Sequence, residues 1–269
     1  MHEWCIAADD RTGALEMAAE MAVVFGAPVM VSVGEPSSAA GVVDLGSRTL
    51  SPSAAERCAE LLELRIRPTT WAAHKIDSTL RGNWAAELHA RQVARPRPVV
   101  LLPAWPAMGR VCRGGVVHVH GEAVAAVQSS VPLARPAKPH ELFHLANDDV
   151  VWVDIENDEQ LADAAAALVS VPALVAGPAG ALGAVARAQF GSGSRPSPPA
   201  VHAPALVVCG SATQVSAQQL AALAAARPDV QIVSAPPVDG PLDRAVAARL
   251  AESVRPRVQS FGLVVLIGG

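Results

Sequence analysis

Short apolar runs of Val, Leu, Ile and Ala alternate along this chain with longer stretches whose apolar residues recur at helical spacing. The short runs predict strands over residues 4–8, 28–33, 41–45, 70–75, 99–103, 150–154, 173–176, 205–209, 231–234 and 262–267. The longer stretches predict helices over 12–24, 52–64, 83–95, 159–169, 180–189, 216–226 and 242–254. Strand–helix alternation with nearly continuous apolar strands signals a parallel sheet covered on both faces. Residues 109–128, with Gly114-Gly115 and alternating Val and His, predict an inserted hairpin instead. The uncharged stretch 164–186 is long enough to span a bilayer. Pro172 and Pro178 interrupt it, so it reads as helix, buried strand and helix.

The alternation breaks once, in the Gly/Ser/Pro-rich stretch 191–204, which cannot supply a core and predicts a linker. The expected fold is α/β in two domains, each a mostly parallel sheet flanked by helices. Residues 1–190 form the first, and after the linker the pattern restarts over 205–269 and stops at Gly268-Gly269, so the second reads as truncated.

Composition narrows the class. With 51% hydrophobic and 17% charged residues the chain has material for a core and is not intrinsically disordered. Its net charge of -4 comes from 21 basic and 25 acidic residues with no long basic run, which argues against a nucleic-acid partner. Cys5, Cys58, Cys112 and Cys209 are scattered without a C-x-x-C, and Glu3, Asp9, Asp10 and Arg11 stand where a signal peptide would be apolar. Both points predict reduced thiols and a cytoplasmic protein with no membrane partner. Only two of the 21 basic residues are Lys, Lys75 and Lys138, which draws attention to where a compact ammonium is kept.

Open α/β sheets bind ligands at the carboxyl ends of their strands, so polar clusters just after predicted strands are the places to search. Asp9-Asp10-Arg11-Thr12-Gly13 follows the first strand; two adjacent carboxylates there suit substrate hydroxyls, a cation or a proton acceptor. The structural alternative is that Asp10 or Thr12 caps the next helix. Gly46-Ser47-Arg48 follows the third strand, where an Arg fork suits a carboxylate or phosphate. Residues 75–83, Lys-Ile-Asp-Ser-Thr-Leu-Arg-Gly-Asn, gather two cations, an anion, two hydroxyls and an Asn into one turn. That density fits an anionic, hydroxylated small molecule, against the alternative of a salt-bridged turn capped by Ser78 or Asn83. In the second half, the turns after Cys209 (Gly210-Ser211) and after Ile267 (Gly268-Gly269) would let backbone amides approach phosphates. Neither carries the P-loop pattern. His118 with His120, and His140 with His144, lack partners at metal-ligand spacing. The bulky stretch 102–110 after a strand predicts one wall of a substrate cleft, with Arg110 reaching in.

In this order the clusters resemble the four-carbon acid sugar kinases. Ala-Asp-Asp-x-Thr-Gly-Ala is matched over 8–14, Ser-Arg at 47–48, and Lys-x-Asp-Ser-Thr-Leu-Arg-Gly-Asn in full over 75–83. Pro-Ala-x-Pro-Ala-x-Gly-Arg is matched over 103–110, and a later Cys-Gly-Ser at 209–211. The resemblance implies a first domain binding a sugar acid such as threonate, erythronate or a 3-oxo-tetronate, and a second binding ATP with Mg²⁺. Asp9, Asp10, Arg48, Lys75, Asp77, Ser78 and Arg81 would then contact the sugar acid, and Ser211, Gly268 and Gly269 the nucleotide. Arg48 or Arg81 would clamp the carboxylate, and Asp10 or Asp77 would take the proton of the terminal hydroxyl. The expected partners are the sugar acid and ATP, with a homo-oligomer possible. Because the nucleotide part reads as incomplete, a non-catalytic sugar-acid-binding protein is the alternative.

Overall fold

A computed structural model of the chain describes residues 3–36, 40–68, 70–197, 204–235 and 244–268. Gly269 and residues 198–203 of the expected linker lie outside the described residues. The chain divides into two compact units, residues 1–196 and 197–269.

The first unit begins with β1 (Trp4–Ala8), α1 (Arg11–Phe25), β2 (Val31–Val33), β3 (Ala40–Asp44), α2 (Pro52–Arg65), β4 (Trp71–Lys75), α3 (Trp84–Ala94) and β5 (Val99–Leu101). An antiparallel ribbon follows, β6 (Arg110–Arg113), β7 (Val116–Val119) and β8 (Glu122–Ala126), then the short α4 (Val127–Ser130). The unit closes with β9 (Arg135–Pro136), β10 (Val150–Trp152), α5 (Asp158–Leu168), β11 (Leu174–Gly177) and α6 (Ala179–Phe190). The expected hairpin is thus a three-stranded meander. His120 is not on a strand with His118 but in the β7–β8 turn, at φ 50°.

Eight of these strands form one parallel sheet among the described residues, in the order β2-β3-β1-β4-β11-β5-β10-β9. β1 is buried along its whole length and alternates between two cores. Trp4, Ile6 and Ala8 join Met17 and Met21 of α1; Cys5 and Ala7 join Ala59 and Leu62 of α2. Period-2 strands sandwiched between helices produce this two-sided burial. α1 forms because Ala14, Met17, Ala18, Met21 and Val24 make one apolar stripe, with Asp10 accepting from Gly13 N at its start and Gly26 in the left-handed region at its end. The stretch 164–186 is helix, strand and helix, and no helix among the described residues is long and apolar enough to cross a membrane.

The second unit carries β12 (Ala205–Cys209), α7 (Gln214–Ala226), β13 (Gln231–Ser234), α8 (Arg244–Val254) and β14 (Leu263–Ile267), with parallel order β13-β12-β14. The four cysteines are free thiols, and Cys5, Cys112 and Cys209 are buried.

Candidate active site

β1, β3 and β4 end side by side, since Ala8 pairs with both Asp44 and Lys75. The three loops that follow therefore start from one line at the carboxyl edge of the sheet. Ser47 N and Arg48 N both donate to Asp9 O, at 2.9 and 3.1 Å, which binds the first two loops together. Arg48 completes the junction. Its Nε and Nη2 donate to the two oxygens of Asp9 at 2.7 and 2.9 Å, and its Nη1 donates to Asp10 Oδ2 at 2.7 Å. Asp10 also caps α1, its Oδ1 accepting from Gly13 N at 2.8 Å. The capping alternative is thus realised, while the second oxygen of the same side chain faces Arg48. Asp9 is wholly buried, whereas the Asp10 side chain keeps 25% of its surface. Burial pushes the Asp9 carboxyl above its ordinary pKa in spite of the Arg48 fork.

The turn after β4 supplies the third loop. Asp77 Oδ2 accepts from Thr79 N and Thr79 Oγ1, at 2.9 and 2.5 Å, an Asx turn that reverses the chain. Arg81 then closes on Asp77 with a bidentate pair at 3.0 and 2.7 Å. Burial alone would raise the Asp77 carboxyl, but hydrogen bonds from Arg81 and Thr79 hold it well below the usual carboxylate range. Leu80 sits at φ 60°, a strained conformation for a branched residue, pinned because its carbonyl accepts from Trp84 Nε1 and its side chain is buried. Asn83 does not cap α3: its amide donates to Ser47 O and Leu50 O at 2.9 Å, tying this turn to the Arg48 loop. Lys75 is buried with Nζ 3.1 Å from Ile76 O and 3.5 Å from Glu16, over Gly13 of α1. Ser78 is half-buried beside these groups in sequence.

The structure thus brings Asp9, Asp10, Arg48, Asp77 and Arg81 into one ion-pair cluster, Arg48 Nη2 lying 3.7 Å from Asp77 Oδ1. Arg48 is engaged by three carboxylates. Arg81 is the exposed cation of the set, at 72%, and its Nη1 has no partner among the described residues. Gly82 (φ 89°) is required here, because a Cβ would stand 3.0 Å from Asp9 Oδ2 and 3.3 Å from Arg48 Cγ. Gly82→Ala is expected to lower unfolding free energy in urea by about 1–2 kcal/mol, the penalty of a left-handed L-residue. A variant as stable as the parent would show that this contact yields freely.

Sequence reading missed a buried chain beneath the cluster. His74 Nε2 meets Glu87 Oε2 at 2.8 Å, and Arg91 Nη1 points at His74 Nδ1 at 3.3 Å. Arg91 has only N–H donors, so Nδ1 accepts and the proton sits on Nε2, facing Glu87. Arg91 Nε continues to Glu63 Oε2 at 2.7 Å. Burial opposes the Glu87 charge, but His74 holds its carboxyl below the ordinary value. The signal was available: Glu87 and Arg91 lie on the same face of α3 as Trp84 and Leu88, charged residues on an apolar stripe.

In the second unit, Gly210 N donates to Ile267 O at 2.8 Å, so the turns after β12 and β14 are neighbours. Ser211 Oγ accepts from Ser216 Oγ at 2.8 Å, and Thr213 caps α7. Among the described residues a Cβ on Gly268 would meet nothing within 4 Å. Gly269 lies outside the described residues. Among the described residues no three His, Cys, Asp or Glu side chains are grouped to hold a metal ion.

The sugar-binding N-terminal domain family matches residues 4–142. The D-threonate kinase of Cupriavidus necator is 31% identical over 262 residues, covering 82% of this chain and 63% of that protein. The D-threonate kinase of Bordetella bronchiseptica is 30% identical over 145 residues, 49% of this chain and 36% of that protein. The chain therefore spans less than two thirds of the curated relatives it matches. Among solved structures, a domain of unknown function (DUF1537) from Bordetella bronchiseptica, a domain-swapped dimer with bound citrate, has a TM-score of 0.61 at 25% identity. The alignment covers 100% of this chain and 83% of that one. A protein from Salmonella typhimurium described as a putative tRNA synthase shares the fold, with TM-score 0.66 at 18% identity over 100% of this chain and 75% of that one.

Proposed function

The chain belongs to the four-carbon acid sugar kinase family, and from that premise we propose that it serves ATP-dependent phosphorylation of the terminal hydroxyl of a tetronate such as threonate. The observation that carries the reading is the Asp9–Asp10–Arg48–Asp77–Arg81 cluster at the joined ends of β1, β3 and β4. A sugar acid presents one carboxylate and a row of hydroxyls. Arg81, exposed and with a free Nη1, binds the carboxylate, and Lys75 at the end of β4 and Ser78 in the turn that follows add donors. The carboxylates accept from the hydroxyls. The citrate held by the Bordetella relative, itself a hydroxy acid, supports a ligand of this class.

Of the two carboxylates expected to take the proton, the geometry favours Asp10. Asp77 is held low by Arg81 and Thr79 and is a weak proton acceptor, whereas Asp10 keeps an exposed edge beyond its cap and its Arg48 contact. Arg48 does not clamp substrate in this reading but positions Asp9 and Asp10. ATP supplies the phosphoryl group, with Mg²⁺ carried on its phosphates, and Ser211 with the Gly268 turn would hold it. A cytoplasmic setting, in which Cys5, Cys112 and Cys209 stay as buried thiols, belongs to the same proposal.

Calorimetry with threonate and erythronate, beside an ATP-consumption assay, tests the reading. Asp10→Ser retains a helix cap but removes the carboxylate. Turnover is expected to fall by about 10²–10⁴ in this variant while the melting temperature stays near the parent's. Absence of tetronate binding by the parent chain, or unchanged turnover in Asp10→Ser, would sink the assignment.

A further inference from the structure

A cavity of about 660 Å³ opens at the opposite end of the sheet, at the starts of β4, β5 and β11. Its wall includes Arg95, Arg97, Thr70, Asn147, Ser170 and Gln189, and among the described residues no Asp or Glu lines it. We propose that this cavity is a binding site for a small oxyanion-bearing metabolite, one carrying phosphate or clustered carboxylate groups, separate from the sugar-acid cluster.

The argument starts from a local imbalance of charge. Arg91, Arg95 and Arg97 all converge on the single buried carboxylate of Glu63, at 2.7, 3.1 and 2.8 Å. Glu87, beyond His74, is the other carboxylate of this buried network among the described residues. Three guanidinium groups against these two carboxylates leave one positive charge unbalanced. The excess falls at the cavity end. Arg91 points inward, to Glu63, Ala73 O and His74, while Arg95 is occupied by the carbonyls of Glu63, Ile66 and Arg67. The Arg97 guanidinium makes one hydrogen bond among the described residues, from Nη2 to Glu63, and its Nη1 and buried Nε have no partner there. Its side chain is only 11% exposed. Burial and the charges of Arg91 and Arg95 push the Arg97 pKa down to about 10, as expected for a cation short of counter-charge.

Arg97 lines the cavity, and its Nη1, unlike the enclosed Nε, is left to donate to an acceptor there. Hydroxyls of Thr70 and Ser170 and amides of Asn147 and Gln189 surround it, all suited to the oxygens of an anion. The cavity exceeds a lone phosphate in size, so the natural ligand carries a further small organic portion.

The test uses inorganic phosphate and tricarballylate, the latter a tricarboxylate without the hydroxyls of a sugar acid, titrated against the whole chain and followed by calorimetry and thermal melting. Binding of either supports the site, and the preferred probe identifies the natural class. Arg97→Gln and Ser170→Glu are each expected to weaken the preferred probe by about tenfold or more, the loss of one charge-assisted hydrogen bond or its replacement by repulsion. Ser170 is exposed, so Ser170→Glu leaves the fold intact even if Arg97→Gln unsettles it. Threonate affinity is expected to stay within twofold in Ser170→Glu, roughly the error of additivity for distant sites. No binding of either probe overturns the proposal. So does binding abolished by Arg81→Ala and kept in Ser170→Glu, which would move the anion to the sugar-acid cluster.

Discussion

Arg48→Ala is expected to destabilise the first unit by about 3 kcal/mol or more, because it leaves Asp9 buried with an unpaired charge. A loss of that size corresponds to a melting temperature lower by about 6–12 °C. The variant should also lose tetronate binding, since the Arg48 guanidinium orients the Asp9 and Asp10 carboxylates that the backbone bonds alone do not fix. The pH dependence has a defined sign. Asp9 is already raised above its unfolded value by burial, and removal of Arg48 raises it further. Between the ordinary carboxylate range and that raised value the folded state binds more protons than the unfolded one, so stability falls as pH rises through the window. The deficit of Arg48→Ala should therefore narrow on mild acidification. Adding Asp9→Asn is expected to recover much of the stability at neutral pH without recovering binding. Equal melting curves for parent and Arg48→Ala between pH 5 and 8 would refute the account.

Glu63→Gln is the second large effect. Glu63 is buried and is the common acceptor of Arg91, Arg95 and Arg97. Burial opposes its charge, but Arg91 and Arg97 hold its carboxyl below the ordinary value. A carboxylate depressed in the folded state contributes stability at neutral pH, and this is lost as pH falls from the ordinary range through the depressed value. Replacing it leaves three cations facing one another and should lower unfolding free energy by about 3–5 kcal/mol at neutral pH. The difference from the parent should shrink in acid, where Glu63 is protonated. Arg91→Met in the same chain should restore part of the loss by removing the most deeply buried of the three. Urea unfolding at two pH values measures all of this, and a Glu63→Gln midpoint equal to the parent's would show that the arginines are satisfied elsewhere.

The elements were largely readable from periodicity, and their ends were not. The strand expected over 99–103 stops at Leu101, where Pro103 supplies no N–H for a ladder, and the one over 28–33 shrinks to 31–33 after Pro28. The hairpin expected over 109–128 has a third strand, β8, whose Glu-Ala-Val-Ala-Ala shows little alternation; its pairing with β7 is what orders it. The cluster residues were flagged one loop at a time from their positions after strands. Their mutual engagement was hidden, since Arg48 and Asp9 are 39 positions apart and meet only because β1 pairs with β3. Arg48 and Arg81 stand as alternatives for the clamp in the sequence, which does not show how fully the protein's own carboxylates engage each guanidinium. His74 gave no signal of its own, for an inward His on an apolar strand reads like any core residue until Glu87 and Arg91 arrive from α3.

β11 lies between β4 and β5, although residues 102–173 separate it from β5 in the chain. On the ribosome, β4 and β5 must therefore wait, each with an unsatisfied edge, until Gly177 has left the exit tunnel. Leu174 N, Ile76 N and Leu102 N find their partners only then. The nascent first unit is thus exposed to mispairing through much of its synthesis. A nascent chain stalled before Leu174 should be a client for chaperones rather than a half-built domain.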